Sequence, residues 1–117
     1  MKIEILVAAH KEFPMPKKEG YLPVLVGAVK NYKPGISYQR DDDGENISSK
    51  NPNYNELTAV YWAWKNLKDV DAIGLVHYRR LLFEKRPYSL DNVISIEKVN
   101  QLLQKYDVIL PKKRNYY

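Results

Sequence analysis

Ala72-Ile73-Gly74-Leu75-Val76 is a short apolar run that ends abruptly in His77-Tyr78-Arg79-Arg80. Its length and its abrupt polar boundary predict a buried strand tipped with basic residues. Just before it, Asn53-Tyr54-Asn55-Glu56 leads into Leu57-Thr58-Ala59-Val60-Tyr61-Trp62-Ala63-Trp64-Lys65-Asn66, which has helical periodicity. Just after it, Ser95 can cap a second helix with Ile96, Val99, Leu102, Leu103 and Tyr106 on its inner face.

Working outward, Lys2 to Ala9 reads as a first buried strand. Tyr21 to Val29 is a second apolar run, which Pro23 restricts to an edge or a short strand. Asp107-Val108-Ile109-Leu110 reads as a third main strand, stopped by Pro111. Strands alternating with helices predict an α/β fold with a mostly parallel sheet. At 117 residues the chain has room for one such domain.

Leu57, Val60, Tyr61, Trp64 and Leu67 are expected to form the buried face of the first helix. That makes Trp64 a core residue and leaves Trp62 the more available for a ligand. Two N-terminal signals compete. Asn51 before Pro52 fits an N-cap with proline at the first helical position, and Asn53 with Glu56 fits a capping box. Asn31 to Asn46 reads as a long polar loop, with Asp41-Asp42-Asp43-Gly44-Glu45 as a solvated acidic stretch.

The formal charge of +5 at pH 7 points to an anionic partner or to a solvated basic surface. Position separates the two readings. His10-Lys11 follows the first strand, His77-Tyr78-Arg79-Arg80 the second, and Lys112-Lys113-Arg114 the third. Parallel strands would gather these clusters at one rim, where α/β sheets bind ligands. Arg offers a bidentate fork for phosphate and Lys a point charge. The helix N-terminus, with Ser48, Ser49, Asn51 and Asn53, adds groups suited to ribose or sugar hydroxyls, and Tyr54 and Trp62 offer stacking faces.

Other chemistries are excluded or disfavoured. Without cysteine there is no disulfide, thiol nucleophile or Cys-based zinc site. Neither a G-x-G-x-x-G fingerprint nor a P-loop is present, and the acidic stretch fails the EF-hand pattern because Lys50 falls where Glu is needed. The two histidines lie far apart in sequence, and no serine sits in a nucleophile elbow. No segment has the roughly 18 apolar residues of a membrane span. Glu4 interrupts the N-terminal apolar run, so it reads as a strand and not as a signal peptide.

The combination of His10-Lys11, Asn46-Ile47-Ser48 with Asn51, Glu56 through Asn66, and Ile73 through Arg80 resembles the domain-of-unknown-function family 4422. That family occurs among bacterial capsule, exopolysaccharide and lipopolysaccharide glycosyltransferases. The resemblance implies a GT-A-like nucleotide-sugar-binding half and transfer of a sugar from a nucleoside diphosphate donor, read as a UDP-sugar, to a glycan or lipid-linked acceptor. It places Asn46 with His10, Lys11, Ser48, Asn51, Tyr54, Trp62, His77, Tyr78, Arg79 and Arg80 among the expected substrate contacts. Family domains are roughly twice this length, so the chain is expected to be the N-terminal half of a longer domain.

GT-A enzymes commonly hold a metal on Asp-x-Asp, whereas the comparable strand end here is His77-Tyr78-Arg79. The implied mechanism needs no metal cofactor, with Arg79 and Arg80 clamping the diphosphate and His77 as a polar contact. Manganese or magnesium on Asp41 and Asp43 is the alternative. No catalytic residue is assigned. The expected location is cytoplasmic, at the inner face of the membrane, with membrane association through other proteins. Two competing readings are a non-catalytic interaction module and a nucleic-acid-binding module. The second lacks a basic helix or an aromatic strand motif, so no nucleic acid is expected.

Overall fold

A computed structural model describes residues 1–111. The strands are β1 (Ile3–Ala9), β2 (Tyr21–Leu25), β3 (Gln39–Arg40) and β4 (Ala72–His77). The helices are α1 (Ala28–Asn31), α2 (Asn51–Tyr54), α3 (Leu57–Asn66) and α4 (Ile96–Leu103). The strands form one four-stranded sheet in the order β3-β2-β1-β4, and every pairing is parallel. This is the α/β arrangement, with helices flanking a parallel sheet, expected of a GT-A-like half.

The centre of the sheet is β1, which explains its nearly unbroken apolar sequence. Successive side chains alternate between faces, and both faces are covered. Leu6 and Ala8 pack with Val24 and with Ala59, Trp62 and Ala63 of α3. Ile3, Ile5 and Val7 pack on the other side with Val76, Ile94 and Val99 of α4. In α4 the expected cap forms: Lys98 donates its N–H to Ser95 Oγ at 3.2 Å. Tyr106, expected on the inner face of that helix, is exposed.

Pro23 is tolerated for a specific reason. Val26 N–H donates to β1 at Ala9 O, whereas Leu25 O accepts from Asp41 N–H on the other flank. By alternation, Pro23 turns its missing N–H toward β3, and β3 pairs only with Val24 and Leu25.

Four expectations are corrected. First, α3 is rotated relative to its apolar periodicity. Thr58, Ala59, Trp62 and Ala63 are buried, while Leu57 is 55% and Trp64 67% exposed. Polar anchors decide this rotation. Thr58 Oγ1 donates to Asp41 Oδ2 at 2.7 Å, and Trp62 Nε1 donates to Asp43 O at 2.6 Å. The small Ala59 and Ala63 complete the face that meets the sheet.

Second, neither expected N-cap forms. Asn55 has φ +52° and separates α2 from α3. Asn51 instead bridges the break, donating to Asn55 O at 2.7 Å and Thr58 Oγ1 at 3.2 Å.

Third, the polar loop contributes strand β3 and a fully buried Asp41. Fourth, Asp107–Leu110 pairs with no strand among the described residues. A cavity of about 360 Å³ opens between it and β4, and Val108 and Leu110 are exposed. An apolar run specifies burial but not a ladder partner, and here only Ile109 reaches the core on the α4 side. Lys112, Lys113 and Arg114 lie outside the described residues.

Trp62→Ala should cost about 3–5 kcal/mol in chemical denaturation. Trp64→Ala should change stability by no more than about 1 kcal/mol, since it forfeits an exposed cation–π contact with Lys65 at 3.9 Å. Asp41→Asn puts an amide donor among four donors and should cost about 3 kcal/mol by the same measurement.

Candidate functional site

The pairing of Ala8 with His77 aligns the carboxyl ends of β1 and β4, so the basic tips of these strands meet. His10 and Tyr78 lie edge to face with ring centroids 5.8 Å apart. Phe13 stacks on Tyr78 at 3.8 Å and an interplanar angle of 16°. Lys11 Nζ lies 5.0 Å from the Phe13 ring, and the Arg79 guanidinium 5.3 Å from Tyr78. The result is an aromatic stack edged by cations at one end of the sheet.

Backbone geometry holds this cluster in place. Tyr78 N–H donates to Ala8 O at 3.2 Å, and Arg80 N–H to His77 O at 2.8 Å. The tight turn leaves the Arg79 and Arg80 side chains exposed. Phe13 is fixed by Tyr38, whose hydroxyl accepts from Phe13 N–H at 3.0 Å and donates to Phe13 O at 2.7 Å. Phe13 precedes Pro14 and Pro16 and carries no local motif that marks it as part of the rim. Its one signal was an aromatic placed just beyond a basic strand tip.

Arg79 N–H donates to His77 Nδ1 at 3.3 Å, so the neutral ring carries its proton on Nε2. Burial pushes the His77 imidazole below the usual histidine value. Glu56 opposes that shift, while His10, Arg79 and Arg80 add to it. The cationic character of the rim therefore disfavours one more positive charge on His77.

The other half of the rim, at the ends of β2 and β3, is occupied by the protein itself. Asp41 accepts from Gly27 N–H at 2.8 Å, Ala28 N–H at 2.9 Å, Ser48 Oγ and Thr58 Oγ1. The amide N–H groups at the start of α1 are thus taken by this carboxylate. Asn46 donates to Asp42 O and Gly44 O and accepts from Ser48 N–H. Trp62 is 5% exposed, the reverse of its expected availability. Tyr54 is exposed on α2. Of the sequence-predicted residues, the structure brings together His10, Lys11, His77, Tyr78, Arg79 and Arg80. Asn46, Ser48 and Trp62 spend their polar groups on internal bonds.

The donor set does not suit the Asp41/Asp43 cation alternative. Both Asp41 oxygens are filled by four donors, and among the described residues no three His, Cys, Asp or Glu side chains converge.

The depressed His77 value couples stability to pH. Between its folded value and the usual 6.5, the unfolded chain binds a proton that the native ring refuses. His77's contribution to stability is therefore complete above 6.5 and falls as pH is lowered through that window. An NMR titration of the ring should give a midpoint below 6.5, and Glu56→Gln should lower it further.

The comparisons with known proteins agree with the fold. The family described as "Domain of unknown function (DUF4422)" matches residues 4–117. Among solved structures, the chain is similar to an apo structure of WbbM, a bifunctional glycosyltransferase, at 40% sequence identity and a TM-score of 0.67. That likeness covers 76% of this chain and 16% of WbbM, so the chain spans a small part of its neighbour's length. No curated protein matches. With a match running through almost its whole length, the chain belongs to the family described as a domain of unknown function, DUF4422.

Proposed function

We propose that this chain is the donor-binding part of a glycosyltransferase, the N-terminal half of a longer domain. Its ligand is a nucleoside diphosphate sugar, a UDP-sugar in the simplest case, used in building a bacterial surface polysaccharide. The observation that carries the reading is the meeting of His10, Lys11, His77, Tyr78 and Arg79 at the carboxyl ends of two adjacent parallel strands. Likeness to a bifunctional glycosyltransferase at 40% identity supports the reaction class.

The roles follow from chemistry. Arg79 and Arg80 are exposed forks that can grip a diphosphate, and Lys11 adds a point charge from β1. The Phe13–Tyr78 stack presents an aromatic surface beside them for a base or sugar face. Cations at the leaving diphosphate would stabilise the charge that develops as the sugar departs. This reading uses no metal. His77, kept neutral, offers Nε2–H as a donor without adding charge.

A binding half without turnover is a second reading, since the cations and aromatics gathered at the rim are groups that grip a ligand. Among the described residues, no helix is long and apolar enough to cross a membrane. A place at the inner membrane face, reached through other proteins, is part of the proposal.

Calorimetry with UDP tests the reading directly. Binding should persist without manganese, and Arg79→Ala should weaken it by roughly tenfold to a hundredfold. Bound diphosphate should also raise the His77 midpoint, because a nearby anion favours the imidazolium. Absence of binding by any nucleoside diphosphate would sink the proposal for this chain. Transfer activity with an added acceptor separates enzyme from binding half.

A further inference from the structure

A second cavity, of about 590 Å³, opens beyond the arginine turn. That volume lies within the roughly 300–1,000 Å³ of small-molecule sites. Arg79 and Arg80 line it, so it shares the turn with the rim formed by β1 and β4. Across from them are Phe83, Tyr88, Glu84 and Lys98. None of these four belongs to the rim.

We propose that this cavity is a carbohydrate subsite holding a sugar ring of the acceptor glycan, a proposal that rests on the donor reading above. Phe83 and Tyr88 stack with centroids 5.1 Å apart, and Tyr88 nonetheless remains 68% exposed. That open ring face borders the cavity. It suits a pyranose, whose C–H face lies on an aromatic ring while its hydroxyls turn outward. Arg86 reaches over the Tyr88 ring at 5.6 Å, a loose contact that a ligand can displace.

Polar partners for the hydroxyls surround this platform. Glu84 Oε1 accepts from Ser95 N–H at 2.7 Å and lies 4.0 Å from Lys18 Nζ, which fixes the carboxylate. The Ser95 N–H bond holds its pKa below the usual carboxylate range, so it stays an acceptor at neutral pH. Beyond its bonds to Ser95 and its contact with Lys18, the carboxylate can accept from a sugar hydroxyl. Arg80 and Lys98 supply donors. The platform itself is braced, because Ile94 N–H donates to Leu82 O at 2.8 Å and Glu84 N–H to Asn92 O at 3.0 Å.

Position assigns the acceptor role. Sugar transfer requires two ligands to meet, and effective catalysis requires them to be held in contact. A diphosphate gripped by Arg79 and Arg80 would have the aromatic stack on one side and this cavity on the other.

Saturation-transfer NMR on the whole chain tests the assignment, with methyl glucoside, methyl galactoside and N-acetylglucosamine as probes. At least one probe should bind. Tyr88→Ala should weaken it by roughly tenfold, while Tyr88→Phe keeps it. UDP affinity should not change in Tyr88→Ala, since Tyr88 lies outside the rim. Sugar binding unaffected by Tyr88→Ala would overturn the proposal, as would no saturation transfer to any probe. Occupation by farnesyl diphosphate in place of the glycosides would also overturn it. Loss of UDP binding alone, with Tyr88-dependent sugar binding intact, would refute the donor reading and leave a carbohydrate site.

Discussion

A single buried carboxylate organises half of this molecule. Asp41 is withdrawn from water, a costly state for a charged group unless its oxygens are fully bonded. Four donors offset that cost, drawn from the β2–α1 turn, from the turn before α2, and from α3. No cation takes part in this network among the described residues, so dipoles alone compensate the charge. Removing any one donor leaves the others around an under-solvated anion, which makes the cluster cooperative.

The geometry of that network spreads outward. Thr58 is drawn inward, and α3 turns with it. Trp62 then falls under the acidic loop, where Asp43 supplies the acceptor its indole needs. Gly27 lies at the same junction with φ +60°, and a Cβ there would stand 2.8 Å from Asn51 Oδ1. Only glycine allows the β2 end to approach α2 so closely. The β2 and β3 ends of the sheet are therefore locked by internal bonds. The β1 and β4 ends keep their cations exposed and their stacked aromatics half-buried. One end of a single sheet thus carries a structural half and a chemically open half.

This division explains what could be read from the sequence. Strands β1, β2 and β4 were legible because apolar runs bounded by polar residues have few other uses. The Ser95 cap was legible because its signal is local. The basic tips were legible once the strands were parallel, since topology alone brings Lys11 and Arg79 to the same edge. The face of α3 was not legible. That helix has apolar residues on both sides, and two hydrogen bonds across long sequence separations chose between them. Asp41 looked like one acid among several in a polar loop, because nothing in its neighbourhood of sequence announces donors supplied by residues 27, 28, 48 and 58. The Asp107–Leu110 run shows the converse, in which local apolarity promised a pairing that no strand among the described residues completes.

The Tyr38 hydroxyl bears on how any ligand would meet the rim. One oxygen holds both the amide and the carbonyl of Phe13, in a segment where Pro14 and Pro16 already restrict the backbone. The aromatic stack therefore stands assembled before anything binds. A ligand arriving there need not supply the free energy to order a floppy loop, a cost that commonly consumes part of an affinity. The oxygen is also all-or-none: without it both backbone groups are released together. The preassembled form of that surface thus hangs on one phenolic oxygen bonded to two backbone groups.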